Sequence, residues 1–460
     1  MANRGPADPA STPPGPSIAE RLGQARRLLT DDLTGVLVSA REAYGPIVDL
    51  TMPDGTPGVL LAEPTAVQHV LETNAENYRR ASVYREELSE LFGDGLLTSE
   101  GELWHRQHRL IRPMFGSGSV RSFTDLILTE TEAMLDRWAT RSEPIDLLRE
   151  MERVTLSIIG KAMFSADVEA HAETIRAALE TLRRGFQREV GVVPTAPEWI
   201  PTPHNRRTRA AIDDIDAVVY DLIEARRGEA DEYDDLLSKL LTARTDDGER
   251  MADEQIRDEL VTFLLAGHET TAAALTWTWY LLANHPGVHR RLHERVAEAD
   301  AITDAVGFSA GTAGDASFVK QCVQEAMRIY PPVPVITREA EDCDEISGYE
   351  IPAGSEVVLS QFVVHRDPDL WADPLAFRPE RFAPGAAEER PAYSYFPFGG
   401  GQRMCIGRLF ALAEAQLILA RVVRDVRLRL RSPTHDTPAV DSAVTMVPDE
   451  PIEMAVTDWV

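Results

Sequence analysis

Cysteine is scarce in this chain of 460 residues, with three copies at Cys322, Cys343 and Cys405. An odd number without metal-site spacing builds neither a disulfide framework nor a zinc cluster, and it fits a reducing compartment, so a cytoplasmic location is expected. Lysine is equally rare, at Lys161, Lys239 and Lys320, and the other basic residues are arginines. Positive charge is short altogether: 47 basic residues face 75 acidic ones, for a net charge of −28. So acidic a chain is a poor match for a phosphate backbone, and nucleic acid is not an expected partner. The N-terminal region holds no apolar run long enough for a signal peptide or a membrane span, so no membrane anchor is expected. Internal repeats are missing too, as are motifs for flavin or an iron–sulfur cluster.

What the chain has is a 43% hydrophobic content, ample for a large core. Residues 1–17 are rich in Pro and Ala without periodicity and read as a flexible tail; no composition break divides 18–460, which reads as a single domain. Two β-branched runs, 46–50 and 58–62, flank the turn signal Pro53-Asp54-Gly55 and predict a hairpin. Helices are expected over 64–74, 101–111, most of 122–227 apart from a Pro-rich break at 192–203, 253–284 and 317–330. Short strands are expected near 335–337, 350–351, 356–360 and 444–454, with an irregular stretch from 366 to 390. The fold class is therefore mainly α with small β-sheets.

The most informative stretch is Phe398-Gly399-Gly400-Gly401-Gln402-Arg403-Met404-Cys405-Ile406-Gly407. Apolar residues recur at helical spacing from Leu409 to Leu430, so Cys405 stands just ahead of a helix N-terminus. There the helix dipole and unpaired N–H groups favour thiolate over thiol. Arg403 adds a cation beside any anionic partner, and the glycines suit close approach of something large and flat. Five fixed positions in F-x-x-G-x-R-x-C-x-G give a chance occurrence of roughly one in ten thousand.

The segment 253–284 is an apolar helix of about 45–50 Å, long enough to cross the molecule. It contains Ala266-Gly267-His268-Glu269-Thr270-Thr271. Glycine inside a helix costs about 1 kcal/mol against alanine, and a threonine hydroxyl bonded one turn back bends a helix. A bend, a hydroxyl and a carboxylate together make a proton-delivery point; the alternative is a small-residue crossing between packed helices. His268 reads as a helix-surface residue rather than a ligand. Glu325 and Arg328, three apart, share one helix face. On the helix over 101–111, Trp104, His108 and Ile111 face one way. His105, Arg109 and Arg112 form a basic face turned away from Trp104 and His108, with Arg408 just past Cys405. This patch either docks an acidic protein or merely pairs with acids such as Glu102 or Glu414.

In this order, and together with His365-Arg366-Asp367-Pro368, Trp371 and Pro379-Glu380-Arg381-Phe382, these motifs resemble the cytochrome P450 family of haem-thiolate monooxygenases. The resemblance covers nearly the whole chain after about residue 30. It implies that family's single-domain fold with a long central helix over haem b. It makes Cys405 the axial thiolate ligand, pairs Arg403 with a haem propionate and packs Phe398 near the sulfur, with Gly407 closing the loop. It makes Thr270 and Glu269 the hydroxyl and acid of oxygen activation, and sets Ala266 and Gly267 against the distal face. It implies further propionate contacts from Trp104, His108 (where many members carry Arg) and Arg338, and a buried scaffold triad of Glu325, Arg328 and Arg381. Val335, Ile336, Val444 and Thr445 fall where members line the substrate pocket, with core packing an equal alternative. The implied activity is insertion of one oxygen atom of O2 into an apolar substrate, with a lean towards fatty acids, terpenoids or carotenoids. Electrons would come from a separate ferredoxin or flavodoxin-type donor with its reductase. A peroxide-driven peroxygenase or isomerase, and a haem-based sensor, are the alternatives.

Overall fold

The structure is a computed structural model that describes residues 11–17, 20, 33–51, 55–189, 200–244, 250–307, 317–386, 389–431, 438–442 and 444–459. Its longer helices are α1 (Leu33–Tyr44), α2 (Gly101–Ile111), α3 (Thr124–Ala139), α4 (Leu147–Phe164), α5 (Ala172–Glu189), α6 (Pro203–Arg226), α7 (Asp253–Asn284), α8 (Pro286–Ala297), α9 (Phe318–Ile329) and α10 (Arg408–Asp425). The chain is thus mainly α, with small sheets at its edges.

Helix α7 organises the molecule. From Glu259 to Leu282 nearly every residue is buried, the pattern of a helix surrounded by protein on all sides. It packs chiefly against α4 and also touches α6, α9 and α10. Pro286 ends it: a proline ring cannot follow a helical residue, so His285 turns out of the helix (φ −123°, ψ 70°).

The expected hairpin forms from β1 (Ile47–Asp49) and β2 (Gly58–Leu61), antiparallel with Ile47 opposite Leu61. With β3 (Tyr78–Arg80), β5 (Ile336–Ala340) and β8 (Glu356–Leu359) it makes a five-stranded sheet in the order β1-β2-β8-β5-β3. The inward residues of this sheet pack with α1 into a second, smaller apolar core. Of the expected tail, residues 11–17 lie along this side: the Pro14 carbonyl accepts from the Asp49 N–H at 2.9 Å, and Ser11 bridges to Tyr349.

Three expectations need correction. The segment 64–74 is not one α-helix: it runs α-helical over Pro64–Gln68 and widens to a π-helical turn over His69–Thr73. The helix after Cys405 stops at Asp425. Val426 is extended (φ −130°, ψ 155°) and Arg427–Leu430 is a strand, β9, paired with β12 (Glu453–Thr457). Alternating Arg-Leu-Arg-Leu fits a half-buried strand as well as a helix, and the distant partner decides. The strand expected over 444–454 is broken, with β11 (Val447–Pro448) separated from β12 by Asp449-Glu450-Pro451-Ile452, since proline withholds an N–H from the ladder. Most of the Pro-rich break at 192–203 lies outside the described residues.

Candidate active site

The glycine-rich loop closes on itself when the Cys405 N–H donates to the Phe398 carbonyl at 2.9 Å. Gly401 carries φ +64°, and a Cβ there would run into the Leu71 carbonyl oxygen, so only glycine lets the loop lie against the π-helical turn. Gly407 sits between the Cys405 sulfur and Phe115; a Cβ would stand 3.9 and 3.8 Å from them. Phe115 in turn stacks on Phe263 of α7, with ring centroids 5.5 Å apart. One aromatic ring thus fixes the distance between the cysteine loop and the central helix. Phe398 is half-buried and packs on the main core.

Cys405 is exposed, but to a cavity of about 580 Å³ that it lines with Trp104, His108, Arg112, Phe115 and Arg408. The surrounding protein desolvates the thiol and pushes its pKa up, against the opposing pull of the Gly407 and Arg408 N–H groups and the Arg408 charge. The expected gain from the helix terminus is present but is outweighed by burial, so a thiolate here needs a cation at the sulfur.

On α7, Ala266, Gly267 and Thr270 are the only residues between Glu259 and Leu282 that are not buried. At positions i, i+1 and i+4 they share one face. A strip of accessible surface in the middle of a buried helix marks a space inside the protein. The Thr270 hydroxyl donates to the Ala266 carbonyl one turn back, at 2.9 Å. Gly267 also serves packing: a Cβ would stand 2.9 Å from Ile159 Cδ1 of α4. The reading of a close helix crossing therefore holds at this residue. Glu269 is buried and its pKa is raised by that burial, with Arg183 and Thr445 pulling it back. His268 corrects the sequence reading. It is buried, its Nδ1 lies 2.6 Å from the Leu264 carbonyl, and burial lowers its pKa to about 4. Helix α4 covers the side expected to face solvent.

Positive charge gathers above the loop. Arg80 and Arg338 stand directly opposite each other across β3 and β5, and both are buried. Like charges in such a cross-strand pair repel. Arg403 joins them; its pKa falls to about 10 through burial and through Arg338. Arg80 falls further, to about 9, by burial and by Arg338, and its Nε has no hydrogen-bond partner. The Arg338 Nη1 donates to the Thr337 carbonyl and the Arg403 Nη1 to the Ser99 carbonyl, so neither meets a carboxylate there. Glu100 is the one acid within reach of all three, and its carboxylate already accepts from the Arg80 backbone N–H. Three guanidiniums around one carboxylate make a site for an added anion. Trp104 lies under Arg403, 4.1 Å from its ring centroid, and stacks on His108 at 4.8 Å. Burial, then Arg112, His105 and Arg403, lower the His108 pKa, so this ring is neutral at pH 7 and adds no charge. Arg80 escaped the sequence reading, because only the strand register places it beside Arg338.

Behind the loop, Glu325 receives Arg328 through two bonds of 2.8 and 2.9 Å and Arg381 at 3.2 Å. Glu325 and Arg328 have no exposed side-chain surface. Arg328 also donates to the His365 carbonyl at 2.8 Å, and the Phe396 N–H donates to His365 Nε2 at 2.9 Å, which carries the link to the start of the cysteine loop. The four expected pocket residues lie on two segments joined by a backbone hydrogen bond. The Met446 N–H donates to the Pro332 carbonyl at 2.8 Å, and Ile336 lies close to Gly399. Val335, Ile336 and Val444 are half-buried, whereas Thr445 is buried against Glu269. The basic face of α2 does not turn away from His108 as expected: His105, His108 and Arg112 line the same cavity as Cys405. Among the described residues, neither Arg109, Arg112 nor Arg408 makes an ion pair; the suggested partner Glu414 is fully buried.

The cytochrome P450 family model matches the chain over residues 13–456. The chain belongs to the cytochrome P450 family. Among its relatives, cyclooctatin synthase of Streptomyces melanosporofaciens is 34% identical, covering 88% of each chain. Cyclooctat-9-en-7-ol 5-monooxygenase of the same organism is 30% identical over 93% of this chain and 94% of its own. Pentalenene oxygenase of Streptomyces avermitilis is 30% identical over 91% of each. This P450 is accordingly a monooxygenase that uses haem b held through a cysteine thiolate, together with O2, an organic substrate and a redox partner. Its residues fit that cofactor: a cysteine sulfur on a cavity, an accessible strip on the central helix, and a cluster of guanidiniums short of an anion. Among the described residues no helix is long and apolar enough to cross a membrane.

Proposed function

We propose that this P450 hydroxylates a cyclic terpenoid, in the cytoplasm, with electrons from a separate ferredoxin-type donor. The names of the relatives support the substrate class, since cyclooctatin, cyclooctat-9-en-7-ol and pentalenene are terpenoid skeletons. The observation that carries the active-site assignment is the accessible strip Ala266, Gly267 and Thr270 on an otherwise buried helix, tied through Phe115 and Phe263 to the Cys405 loop. The test is a titration of the purified enzyme with cyclic terpenes, carotenoids, fatty acids and steroids. A cyclic terpene should produce the substrate-induced spin shift; a shift with fatty acids alone would overturn the substrate class.

Haem b held by a thiolate supplies oxygen activation when bound, since the sulfur donates electron density to iron and favours O–O cleavage. In this reading Cys405 gives the thiolate. Arg80, Arg338 and Arg403 neutralise the propionates, with Trp104 and His108 flanking them. Val335, Ile336, Val444 and the loop around 78–96 surround the substrate; residues 190–199 of the 185–205 segment expected beside them lie outside the described residues. Residues 18–460 act as one haem domain.

Thr270 holds a proton at its hydroxyl beside the space where oxygen and substrate meet, and Glu269 lies next to it in sequence. The Thr270 side chain bonds only the Ala266 carbonyl, so Thr270→Ala should leave folding, haem content and substrate binding intact. Loss of a positioned acid–base group typically removes roughly 10²–10⁴-fold of rate, and here product per NAD(P)H should fall by at least about tenfold while peroxide rises. Unchanged coupling would remove Thr270 from the mechanism.

Among the described residues Arg109, Arg112 and Arg408 have no acid partner; on a chain of net charge −28, Arg112 and Arg408 line the cavity at Cys405 together with exposed Met404 and Leu409, and Arg109 lines the neighbouring hollow with Arg112. An acidic ferredoxin would be steered to this exception, mainly in its encounter rate. Arg109→Glu with Arg112→Glu should slow reduction by ferredoxin, more so at low salt, and spare peroxide-driven turnover. Equal loss in both assays would point to damaged haem binding instead.

A further inference from the structure

The first turns of α7 hold the backbone of the segment that precedes α2. The Gln255 Nε2 donates to the Asp94 carbonyl at 3.1 Å, and the Arg257 Nη1 to the Leu91 carbonyl at 2.7 Å. Asp258 Oδ2 accepts from the Asp94 N–H at 2.9 Å, and Glu259 Oε2 from the Leu96 N–H at 3.1 Å. The segment lies directly on the helix. Gly93 has φ +52°, and a Cβ there would overlap the Asp258 carboxylate; a Cβ on Gly95 would stand 2.2 Å from Thr262 Oγ1. From the other side the Gln107 Nε2 donates to the Asp94 carbonyl at 2.6 Å, and the bond from Arg403 to the Ser99 carbonyl ties the far end to the cysteine loop. Residues 93–99 thus form a strap that joins α7, α2 and the cysteine loop. From Gly95 to Ser99 only Leu97 is not buried, so the strap meets open space there.

Glu259 is the unusual member of this clamp. Arg257 is paired with Asp216 and Asp258. Glu259 has no exposed surface, and among the described residues no cation acts on it. Its Oε2 has one donor and its Oε1 has no hydrogen-bond partner. A buried carboxylate so poorly served is costly, and retaining the proton removes the cost. Burial accordingly raises its pKa to about 8, with the Leu96 N–H opposing and the Asp258 charge adding to the rise. The charged groups at this corner are Asp258 and Arg257 on α7, Asp94 on the strap and Asp216 on α6. The short helix over 87–92 turns Leu91 and Phe92 inward, and α2 offers the neutral Gln107. At spacing i, i+4, i+7 and i+11, Glu259 shares its helix face with Phe263, Ala266 and Thr270. The clamp therefore stands on the face of the accessible strip, about 10 Å along the axis from Ala266.

We propose that Glu259 is a positioning residue: its neutral carboxyl fastens the strap 93–99 as a wall of the space over the accessible strip, and loss of its proton lets the strap lift. This rests on the oxygenase reading above and names what closes its pocket towards the α7 N-terminus. Neutral, the carboxyl accepts from Leu96 without placing a charge in the interior. Ionised, it is stabilised by water, and water reaches it only when the strap lifts. With the strap lifted the carboxyl regains its ordinary pKa of 4.5. Closure is therefore fully favoured below that pH, and the advantage is lost progressively as the pH rises to about 8. Glu259 acts through the strap and not on the reacting atoms.

The test is hydrogen–deuterium exchange of the haem-loaded enzyme at the amides of residues 93–99, with the affinity for phenylimidazole read from its Soret shift in the same samples. Phenylimidazole binds haem iron, and its phenyl ring must fit beside the strap. With the chemical exchange rate divided out, the wild-type amides should exchange faster by about tenfold per pH unit between pH 6 and 8 and level off above. Phenylimidazole affinity should fall several-fold over the same range. Glu259→Gln keeps an acceptor for Leu96 and cannot ionise, so both profiles should become flat with the strap closed. Glu259→Leu offers no acceptor, so exchange should be fast at every pH and the affinity several-fold weaker. Wild-type exchange that is flat in pH, or a Glu259→Gln variant that keeps the wild-type pH dependence, would overturn the proposal; the Gln comparison decides even where Glu259→Leu does not fold. The ferrous carbonyl spectrum of the wild type separates the two readings: absence of its thiolate form would sink the oxygenase reading, whereas the exchange profile reports on the strap alone.

Discussion

Arg328→Met should destabilise the protein by about 3–5 kcal/mol, because it leaves the Glu325 carboxylate buried without its main cation. Arg328 places two hydrogen bonds on Glu325 and a third on the His365 carbonyl, and its guanidinium lies 5.0 Å from the Trp371 ring centroid. Arg381 remains at 3.2 Å but is partly exposed and bonds through one nitrogen only. A loss of this size is a large part of the roughly 5–15 kcal/mol that holds a typical protein together. Urea unfolding should show it as a clear drop in midpoint, and haem uptake during expression should fall with it. The sign is checked by a second variant: Glu325→Leu combined with Arg328→Met removes both charges and should recover part of the loss. Equal stability of Arg328→Met and wild type would mean that the triad does not support the fold.

Much of this was legible because it is local. The bounds of α7 follow from an apolar run that opens at Asp253 and ends before Pro286, and both match the structure. The cysteine loop follows from glycine chemistry around one thiol, and Glu325 and Arg328 from spacing on one helix. What escaped the sequence depends on partners far along the chain. The strand Arg427–Leu430 looks helical until β12 pairs with it. His268 looks like a surface residue until α4 is laid over it, since a helix buried on every side has no polar stripe to reveal its orientation. Arg80 is one arginine among many until the β3–β5 register sets it against Arg338. Glu259 gains meaning only from Leu96, whose N–H the fold brings to it from a distant segment.

Cys405 is the residue on which the central claim rests, and its replacement should have the most complete effect. Cys322 is fully buried, with a thiol pKa pushed well up by burial, and Cys343 is exposed in the turn after β5. Only Cys405 borders the cavity shared with Trp104 and His108 and lies among N–H groups that favour an anion. The decisive measurement is the optical spectrum of the ferrous carbonyl complex in the wild type, Cys405→Ser, Cys322→Ser and Cys343→Ser. The account predicts a red-shifted, thiolate-type Soret band in all but Cys405→Ser, which should lose that band and all oxygenase turnover. A red-shifted band that survives in Cys405→Ser would contradict it.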